Sequence, residues 1–233
     1  MPCVLHIIGG NFGYKETMNY KKIFQIGLIK TLRFNFHYFG LKGLKLPVLI
    51  SRYTRLSKLG GVVIANCTSP GCIHIGFDGV SIFDVHHERA IWQNTRNITF
   101  EGSATLGQGT RISCKGNLKF GKRFRLTANS SIVCYDSIAF GDDSLISWNC
   151  SFMDTDIHKV LDVDGNIVNN NRPVRIGNRV WIGSNTTILK GTEIGSDNVV
   201  AAASVLTGQK IPESNQVIGS HGVILKREIS WEP

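Results

Sequence analysis

The most regular feature of this chain is an aliphatic residue at every sixth position in its C-terminal half. The series comprises Ile176, Ile182, Ile188, Ile194, Val200 and Leu206. A period of six fits neither an α-helix nor the alternation of a flat sheet, but it is typical of short strands wound around a narrow prism. Gly177, Gly183 and Gly195 each follow one of these residues, where a sharp corner favours a residue without Cβ. Three hexads make one coil of 18 residues, so Gly177 and Gly195 should stack in neighbouring coils.

A less regular form of the pattern predicts longer coils upstream. Its inward positions are Leu106, Ile112, Leu118, Phe120, Leu126, Ile132, Ile138, Phe140, Ile146 and Phe152. These coils have 20 residues, and we attribute the two extra residues to a bulge at one corner. Still earlier, degenerate turns are predicted at Ile64, Ile75, Ile82 and Phe100. The sequence therefore predicts an all-β solenoid over residues 61–219, with ends that need covers.

Two segments are predicted to be these covers. Residues 1–60 contain an amphipathic pattern from about Tyr20 to Phe34, which predicts a capping helix with its apolar side on the first coil and its basic side in water. Contact of the basic side with anionic lipid is the alternative. Met18 is an alternative start, and we expect residues 1–17 to be dispensable. Residues 220–233 form a C-terminal tail.

The formal net charge of +9 raises the question of a nucleic-acid partner. Much of the charge lies in the first 60 residues, at Lys15, Lys21, Lys22, Lys30, Arg33, Lys42, Lys45, Arg52, Arg55 and Lys58. These residues alternate with Ile, Leu and Phe, and no aromatic-lined basic groove or known reader motif accompanies them. We therefore expect no nucleic-acid partner.

Cysteine usage and hydropathy predict a cytoplasmic protein. Cys3, Cys67, Cys72, Cys114, Cys134 and Cys150 form no CxxC pair and no framework spacing, so we expect buried, unpaired thiols. No run approaches the ~20 apolar residues of a membrane span. The segment Pro2–Ile8 is short and lacks a basic region before it, so no signal peptide is predicted.

The repeat is interrupted once, and the interruption is the best place to look for chemistry. Phe152 and Ile176 are 24 residues apart where the hexad predicts six, so a loop of about residues 153–175 must leave the prism. Asp154, Asp156 and His158 occupy alternate positions, which an extended segment places on one side. A carboxylate beside an imidazole favours general-base chemistry. A polar loop with an incidental histidine is the alternative that the residues leave open.

Three segments carry a resemblance to a known family: SWNCSFMDTDIH at 147–158, RPVRIGNRVWIGSNTTILKGTEIG at 172–195, and AAASVLTGQKIP at 201–212. Together they cover about a fifth of the chain and resemble the hexapeptide-repeat O-acetyltransferases, which include the galactoside and maltose acetyltransferases and polysaccharide-modifying relatives. The resemblance implies a left-handed parallel β-helix with an N-terminal helical cap and a protruding catalytic loop. It also implies a homotrimer whose sites are shared between subunits.

The resemblance further implies transfer of an acetyl group from acetyl-CoA directly to a sugar hydroxyl. His158 would be the general base, and Asp156 or Asp154 would orient it. The Ser184 amide would bind the oxyanion, and Trp181 would line the acyl end of the channel. Ala202 and Thr207 would line the pantetheine arm, while Lys210 and Lys226 would meet the CoA phosphates. The family has Lys directly after that Thr, whereas Gly208 stands here; a second basic position holds Val223.

The acceptor site matches the family less closely. Asn129, Asp136 and Asn149 are the candidate sugar-binding residues, and we expect a saccharide of the capsule or O-antigen type, or its precursor. Two other functions remain alternatives. A metal-dependent hydrase would need about three converging histidines, but the spacing of His74, His86 and His87 does not match whole coils with His158, so no metal is predicted. The other alternative is a non-catalytic scaffold that binds a partner.

Overall fold

The computed structural model describes residues 20–84 and 86–232, which form a three-sided prism of short strands with helices at its N-terminal end. Each coil contributes one strand to each side, so consecutive strands belong to different sheets. Neighbouring strands within a sheet pair in parallel, except for one antiparallel strand at the C-terminal end. The predictions about residues 1–17 and Pro2–Ile8 lie outside the described residues.

Within each sheet, the strands lie in the order in which their coils follow one another along the chain. The first sheet contains β1 (Val48–Ile50), β4 (Ile73–Ile75), β7 (Ala104–Gln108), β10 (Phe124–Ala128), β13 (Leu145–Ile146), β16 (Trp181–Ile182), β19 (Val199–Val200), β22 (Gln216–Ile218) and β23 (Ile224–Arg227). The second contains β2 (Arg55–Leu59), β5 (Ile91–Asn94), β8 (Arg111–Cys114), β11 (Ser131–Cys134), β14 (Ser151–Met153), β17 (Thr187–Leu189) and β20 (Val205–Thr207). The third contains β3 (Val62–Ala65), β6 (Asn97–Phe100), β9 (Asn117–Phe120), β12 (Ser137–Phe140), β15 (Val174–Ile176), β18 (Glu193–Ile194) and β21 (Lys210–Ile211).

The helices within residues 20–84 and 86–232 are short. They are α1 (Tyr20–Gln25), α2 (Leu28–Phe39) and two 3₁₀ turns at Gly40–Lys45 and Ser220–Gly222. None of the helices in the described ranges has both the length and the apolar character needed to cross a bilayer.

The predicted hexads are confirmed in the C-terminal coils. All six aliphatic residues from Ile176 to Leu206 are buried. Ile176 pairs with Ile194 and Ile188 with Leu206, which is the predicted step of 18 residues. A Cβ on Gly177 would lie 2.6 Å from the amide nitrogen of Ser196 in the next coil, so the corner requires glycine because the coils approach closely.

The 20-residue coils are also confirmed, but the predicted bulge is wrong. Leu118 pairs with Ile138 and Phe120 with Phe140 without a register shift, because β9 and β12 each have four residues and point two side chains inward. The predictions of Ile64 and Ile82 as inward residues are wrong as well, since their side chains are 48% and 70% exposed. In the early coils Val63, Ile73, Trp92 and Ile98 fill the axis instead.

The N-terminal end differs from the prediction in two ways. The first strand starts at Val48, so the prism begins inside the segment predicted to be only a cap. The predicted helix is broken at Ile26 and Gly27, and α2 continues to Phe39. The side of α2 that packs on the first coil consists of Thr31, Phe34 and Asn35, all fully buried. Only one of these three residues is apolar.

The two polar residues satisfy the open edge of the first sheet. Asn35 accepts a hydrogen bond from the Val48 amide at 3.2 Å and donates to the Val48 carbonyl at 2.6 Å. Thr31 Oγ1 accepts from the Ile50 amide at 3.0 Å. An unpaired strand edge is a template for association with other chains, so these two side chains replace the strand that is missing before β1.

The C-terminal end is closed by the tail. β23 pairs antiparallel with β22, and the chain then folds back along the prism. Trp231 is 9% exposed, donates from Nε1 to the Arg179 carbonyl at 2.9 Å, and lies 6.2 Å from Trp181 between ring centroids. The tail therefore covers part of the first sheet.

The cysteine prediction is partly wrong. Cys114, Cys134 and Cys150 are buried free thiols as expected, and burial raises the pKa of Cys150 to about 11. Cys67 and Cys72, however, form a disulfide that closes the turn between β3 and β4. Cys3 lies outside the described residues.

Replacement of Asn35 by alanine should destabilise the fold by about 2–3 kcal/mol, since buried backbone groups of Val48 lose their partner. Urea unfolding followed by circular dichroism would measure the change. Asn97→Ala is the matched control, because that exposed amide bonds only the Asn117 side chain and its loss should cost less than about 0.5 kcal/mol. Equal losses in both variants would contradict the role of Asn35 at the edge.

Candidate active site

The loop that interrupts the repeat spans residues 154–173, close to the predicted 153–175. It leaves the prism after β14 and returns at β15, at the corner between the second and third sheets. The Arg172 amide donates to the Asp154 carbonyl at 3.1 Å, so the two ends of the loop meet. Met153 pairs in register with Leu189, and Leu189 with Thr207, so Lys190 and Gly208 form the same corner of the next two coils.

The loop has its own structure. Leu161 and Ile167 form an antiparallel bridge, and the Val168 amide donates to the Val160 carbonyl at 3.0 Å. Asp162 Oδ1 accepts hydrogen bonds from the amides of residues 164 and 166, and Gly165 has a φ of +84°, which a glycine adopts without strain. The loop is therefore a short hairpin that projects from the prism.

Asp154 is one of the two carboxylates predicted to orient His158, but in the structure it stabilises the fold. It is fully buried. Its two carboxylate oxygens accept hydrogen bonds from the amides of Tyr135 and Asp136, at 2.7 and 2.8 Å. The carboxylate thus ties the start of the loop to the preceding coil, and it is not available to an imidazole on the loop.

Asp156, the second predicted carboxylate, is held at the surface. Its Oδ2 forms an ion pair with Lys190 and accepts a hydrogen bond from Asn169 Nδ2 at 2.8 Å. The hydrogen bond from Lys190, followed by that from Asn169, lowers the pKa of Asp156 below its usual range. Asp156 therefore anchors the loop to the next coil, and its carboxylate bonds Lys190 and Asn169 rather than His158.

His158 lies beside this anchor with an exposed side chain. Its carbonyl accepts from Asn169 Nδ2 at 2.8 Å, and its amide donates to the Asp156 carbonyl at 2.7 Å. No hydrogen bond from the described residues reaches its ring. The predicted alternation of side chains fails here because Ile157 has a φ of 65°, which turns the chain. The backbone of His158 is fixed, while its ring faces solvent.

Three residues of this cluster were not predicted from the sequence. Lys190 could have been found by stacking the coils, because it follows Leu189 at the corner where the loop begins. Asn169 closes the base of the hairpin, and its Oδ1 also accepts from the Val160 amide at 2.7 Å. The Arg172 guanidinium lies over the corner, within about 3–4 Å of where side chains on Gly191 and Gly208 would begin. No spacing rule points to Asn169 or Arg172.

The residues predicted to hold the acyl group lie at the other edge of the second sheet. Ser184 and Ala202 stack at the corner between the first and second sheets. The Ser184 amide donates to no acceptor in the described residues, which holds for Trp148 and Ala202 at the same corner of neighbouring coils too. Trp181 lies on the outer face of β16 and donates from Nε1 to Ser147 Oγ at 3.1 Å. Its role at the acyl end stays a prediction.

The predicted cofactor-binding residues do not all converge. Thr207 is exposed at the end of β20, on the corner that carries the loop. Lys210 lies on the third sheet, where it pairs with Glu193, which also pairs with Arg175 at 2.6 Å. Its ammonium is already engaged, so this arrangement does not favour its assignment to CoA phosphates. Lys226 is exposed on β23.

The residues predicted to bind the acceptor sugar mainly form hydrogen bonds with other residues of the protein. Asn129 donates from Nδ2 to Asn149 Oδ1 at 2.8 Å, and Asn149 donates to Asn185 at 3.3 Å. All three have positive φ, a conformation that asparagine tolerates better than most residues, so they form a ladder along one corner. The Asp136 amide binds Asp154. Whether any of them contacts a sugar stays a prediction.

Two of the histidines considered for a metal site contact other side chains. The His86 ring packs on Tyr53 at 5.0 Å between centroids, and His87 pairs with Asp84 at 2.9 Å. Over residues 20–84 and 86–232, no group of three or more His, Cys, Asp or Glu side chains could hold a metal ion.

Comparison with known proteins defines the class of this chain. The family described as "Bacterial transferase hexapeptide (six repeats)" matches residues 173–208. A putative lipopolysaccharide biosynthesis O-acetyltransferase of Escherichia coli is 31% identical over 146 residues, which cover 58% of this chain and 74% of that protein. The chain belongs to the hexapeptide-repeat acetyltransferases, and the predicted acyltransferase class is confirmed.

Two further comparisons agree with this assignment. A probable acetyltransferase of Mycobacterium tuberculosis is 34% identical over 124 residues, which cover 51% of this chain but only 40% of that relative. The crystal structure of the polysialic acid-specific acetyltransferase NeuO matches 79% of this chain and 89% of its own, with a TM-score of 0.58 and 19% identity. This likeness supports the fold alone, and the predicted left-handed parallel β-helix is confirmed.

Replacement of Asp154 by asparagine should lower the free energy of unfolding by about 2–3 kcal/mol, because a side-chain NH₂ would face a backbone amide in a buried site. Thermal unfolding would measure the loss. Asp156→Asn is the matched control, and its partly exposed ion pair should cost at most about 1 kcal/mol. A stable Asp154→Asn protein would show that this carboxylate does not secure the loop.

Proposed function

We propose that this protein is an O-acetyltransferase that moves an acetyl group from acetyl-CoA to a sugar hydroxyl. The observation that carries the proposal is the loop 154–173, which is fixed to the prism by Asp154 and Asp156 and presents the exposed His158 ring. Relatives named as lipopolysaccharide, galactoside and polysialic acid O-acetyltransferases support a saccharide acceptor. A capsule or O-antigen-type saccharide, or its precursor, is the acceptor class we favour.

The proposed step is direct transfer. His158 accepts the proton of the acceptor hydroxyl as the oxygen attacks the thioester carbonyl carbon, because a neutral hydroxyl with a pKa far above 7 is a poor nucleophile. The unpaired Ser184 amide donates to the developing oxyanion. The C–S bond then breaks, the acetyl group stays on the sugar oxygen, and the thiolate of CoA receives the proton from His158.

Within a single protomer, the groups that this step needs lie at different corners of the prism. His158 and Thr207 lie at the corner between the second and third sheets, whereas Ser184 and Ala202 lie at the corner between the first and second. The six-residue step from Ser184 to Lys190 spans up to about 20 Å. We therefore propose a homotrimer of parallel prisms, in which the loop of one subunit reaches the Ser184 corner of its neighbour.

Two surfaces support this assembly. The loop exposes six apolar side chains that nothing in the described residues covers: Ile157, Val160, Leu161, Val163, Ile167 and Val168. In the second sheet, β11, β14, β17 and β20 contain no charged residue, while the third sheet carries the Arg175–Glu193–Lys210 ion-pair row. Charged residues are depleted at the centres of subunit interfaces, so the second sheet fits a subunit contact.

A glutamate at Val133, which points outward from the middle of the second sheet, should dissociate the trimer, because a charge would be buried in the contact. Light scattering should give three times 25.7 kDa for the native protein and a lower mass for Val133→Glu, with acetyl transfer lost in parallel.

Ala139→Glu is the matched control, since Ala139 points outward from the third sheet between Lys119 and Arg175, where a carboxylate is favourable. This variant should stay trimeric and active. A stable native monomer that still transfers acetyl groups would overturn the shared site.

Replacement of His158 by alanine should reduce acetyl transfer by about 10² to 10⁴, the usual contribution of a positioned general base. The side chain is exposed and its ring makes no hydrogen bond within the described residues, so unfolding should shift by about 0.5 kcal/mol or less. Free thiol released from acetyl-CoA with a panel of saccharides, and mass analysis of the product, would measure the activity.

His87→Ala is the control for this experiment, because that exposed histidine pairs with Asp84 far along the chain from the loop. CoA affinity should be unchanged in both variants. Turnover of His158→Ala near the native rate would remove this loop from the catalytic assignment.

A further inference from the structure

The helical cap has the opposite amphipathic orientation to the one the sequence predicts. The side of α2 that packs on the prism carries Thr31 and Asn35, while large apolar side chains point away from the protein. These apolar residues, between 44% and 82% exposed, are Phe24, Leu28, Ile29, Leu32, Phe36, Leu41 and Leu44. We call them the cap patch. Solvent-exposed apolar side chains at this density mark an interaction surface.

The cap patch is continuous. Leu28, Leu32 and Phe36 follow one another at intervals of four, so they form a stripe along α2, and Ile29 lies beside it. Phe36 and Leu32 line a shallow cavity of about 310 Å³ together with Leu44 from the 3₁₀ turn. The stripe therefore extends from the helix into the following turn.

The charge around the cap patch has a single sign. Within residues 23–77 the basic residues are Lys30, Arg33, Lys42, Lys45, Arg52, Arg55 and Lys58, and there is no Asp or Glu. Arg33, Lys42 and Lys45 are exposed next to the apolar stripe. A second copy of this surface would bring like charges together, so self-association through the cap patch is disfavoured.

We propose that the cap patch binds an anionic lipid surface. The apolar side chains would enter the boundary between headgroups and acyl chains, and the lysine and arginine side chains would lie at the level of the lipid phosphates. Each basic residue close to an anionic membrane adds to the electrostatic attraction. The combination of an exposed apolar stripe and an unbroken positive border has the chemistry of such a surface.

Assembly strengthens the proposal, and this point rests on the proposed trimer. In a trimer of parallel prisms all three caps lie at the same end, so three cap patches would face one plane. Binding of the first patch raises the effective concentration of the other two at the membrane. The acetyl-transfer sites would then lie at a fixed height above the lipid.

Sedimentation with lipid vesicles tests the proposal. The full-length protein should bind vesicles of phosphatidylcholine with about 30% phosphatidylglycerol and should bind pure phosphatidylcholine at least about tenfold more weakly. Ile29→Ser with Leu41→Ser, at two of the most exposed positions of the patch, should reduce binding by about tenfold or more. Ile82→Ser with Leu225→Ser is the matched control, because those side chains are 70% and 59% exposed but lie outside both the patch and the loop.

A second pair of variants separates the cap from the overall charge. Lys42→Glu with Lys45→Glu should weaken binding by about tenfold or more, whereas Lys115→Glu with Lys119→Glu, which changes the net charge equally, should not. Equal losses in the two variants, or full binding by Ile29→Ser with Leu41→Ser, would overturn the proposal. A lower mass in light scattering for the serine variant would instead identify a contact between copies and would also overturn it. Acetyl transfer to a soluble acceptor should be unchanged in every cap variant, which keeps this test separate from that of the enzymatic function.

Discussion

The structure depends on one constraint: every strand needs a parallel neighbour in the next coil, one turn away in sequence. The ladder satisfies backbone groups and stacks one inward aliphatic or aromatic side chain on the next, as in the series from Leu106 to Ile146. The same constraint leaves an unpaired edge at each end. At the first end Asn35 and Thr31 take the place of the missing strand, and at the other β23 pairs in the opposite direction.

This constraint also positions the candidate site. Because the coils stay in register, residues far apart in sequence share a corner, and the loop 154–173 emerges above Lys190 and Thr207. Lys190 then holds Asp156, and Arg172 covers the glycines of the corner. The chemistry lies on an irregular hairpin, but the regular coils beneath it determine where the hairpin is held.

The inward positions of the coils from Leu106 onward could be predicted because burial along a strand depends on alternation, which the sequence displays directly. The orientation of the helical cap could not be predicted, because its inward side is defined by hydrogen bonds to the edge of β1. The polar Thr31 and Asn35 are therefore buried, and the apolar Ile29 is exposed. The loop residues Asp154, Asp156 and His158 were found by the interruption of the repeat. Asp154 is buried and bonds the preceding coil, whereas Asp156 is held at the surface by Lys190. This difference depends on the turn at Ile157, which the spacing of the residues does not show.

The hydrogen bond between the Arg172 amide and the Asp154 carbonyl has an evolutionary consequence. It closes the loop at its base, so the coils before and after it keep their register whatever lies between the two residues. Insertions, deletions and substitutions at the hairpin tip, around Gly165, can accumulate without disturbing the prism. The hairpin tip can therefore change in length and sequence while the coils that support it stay the same.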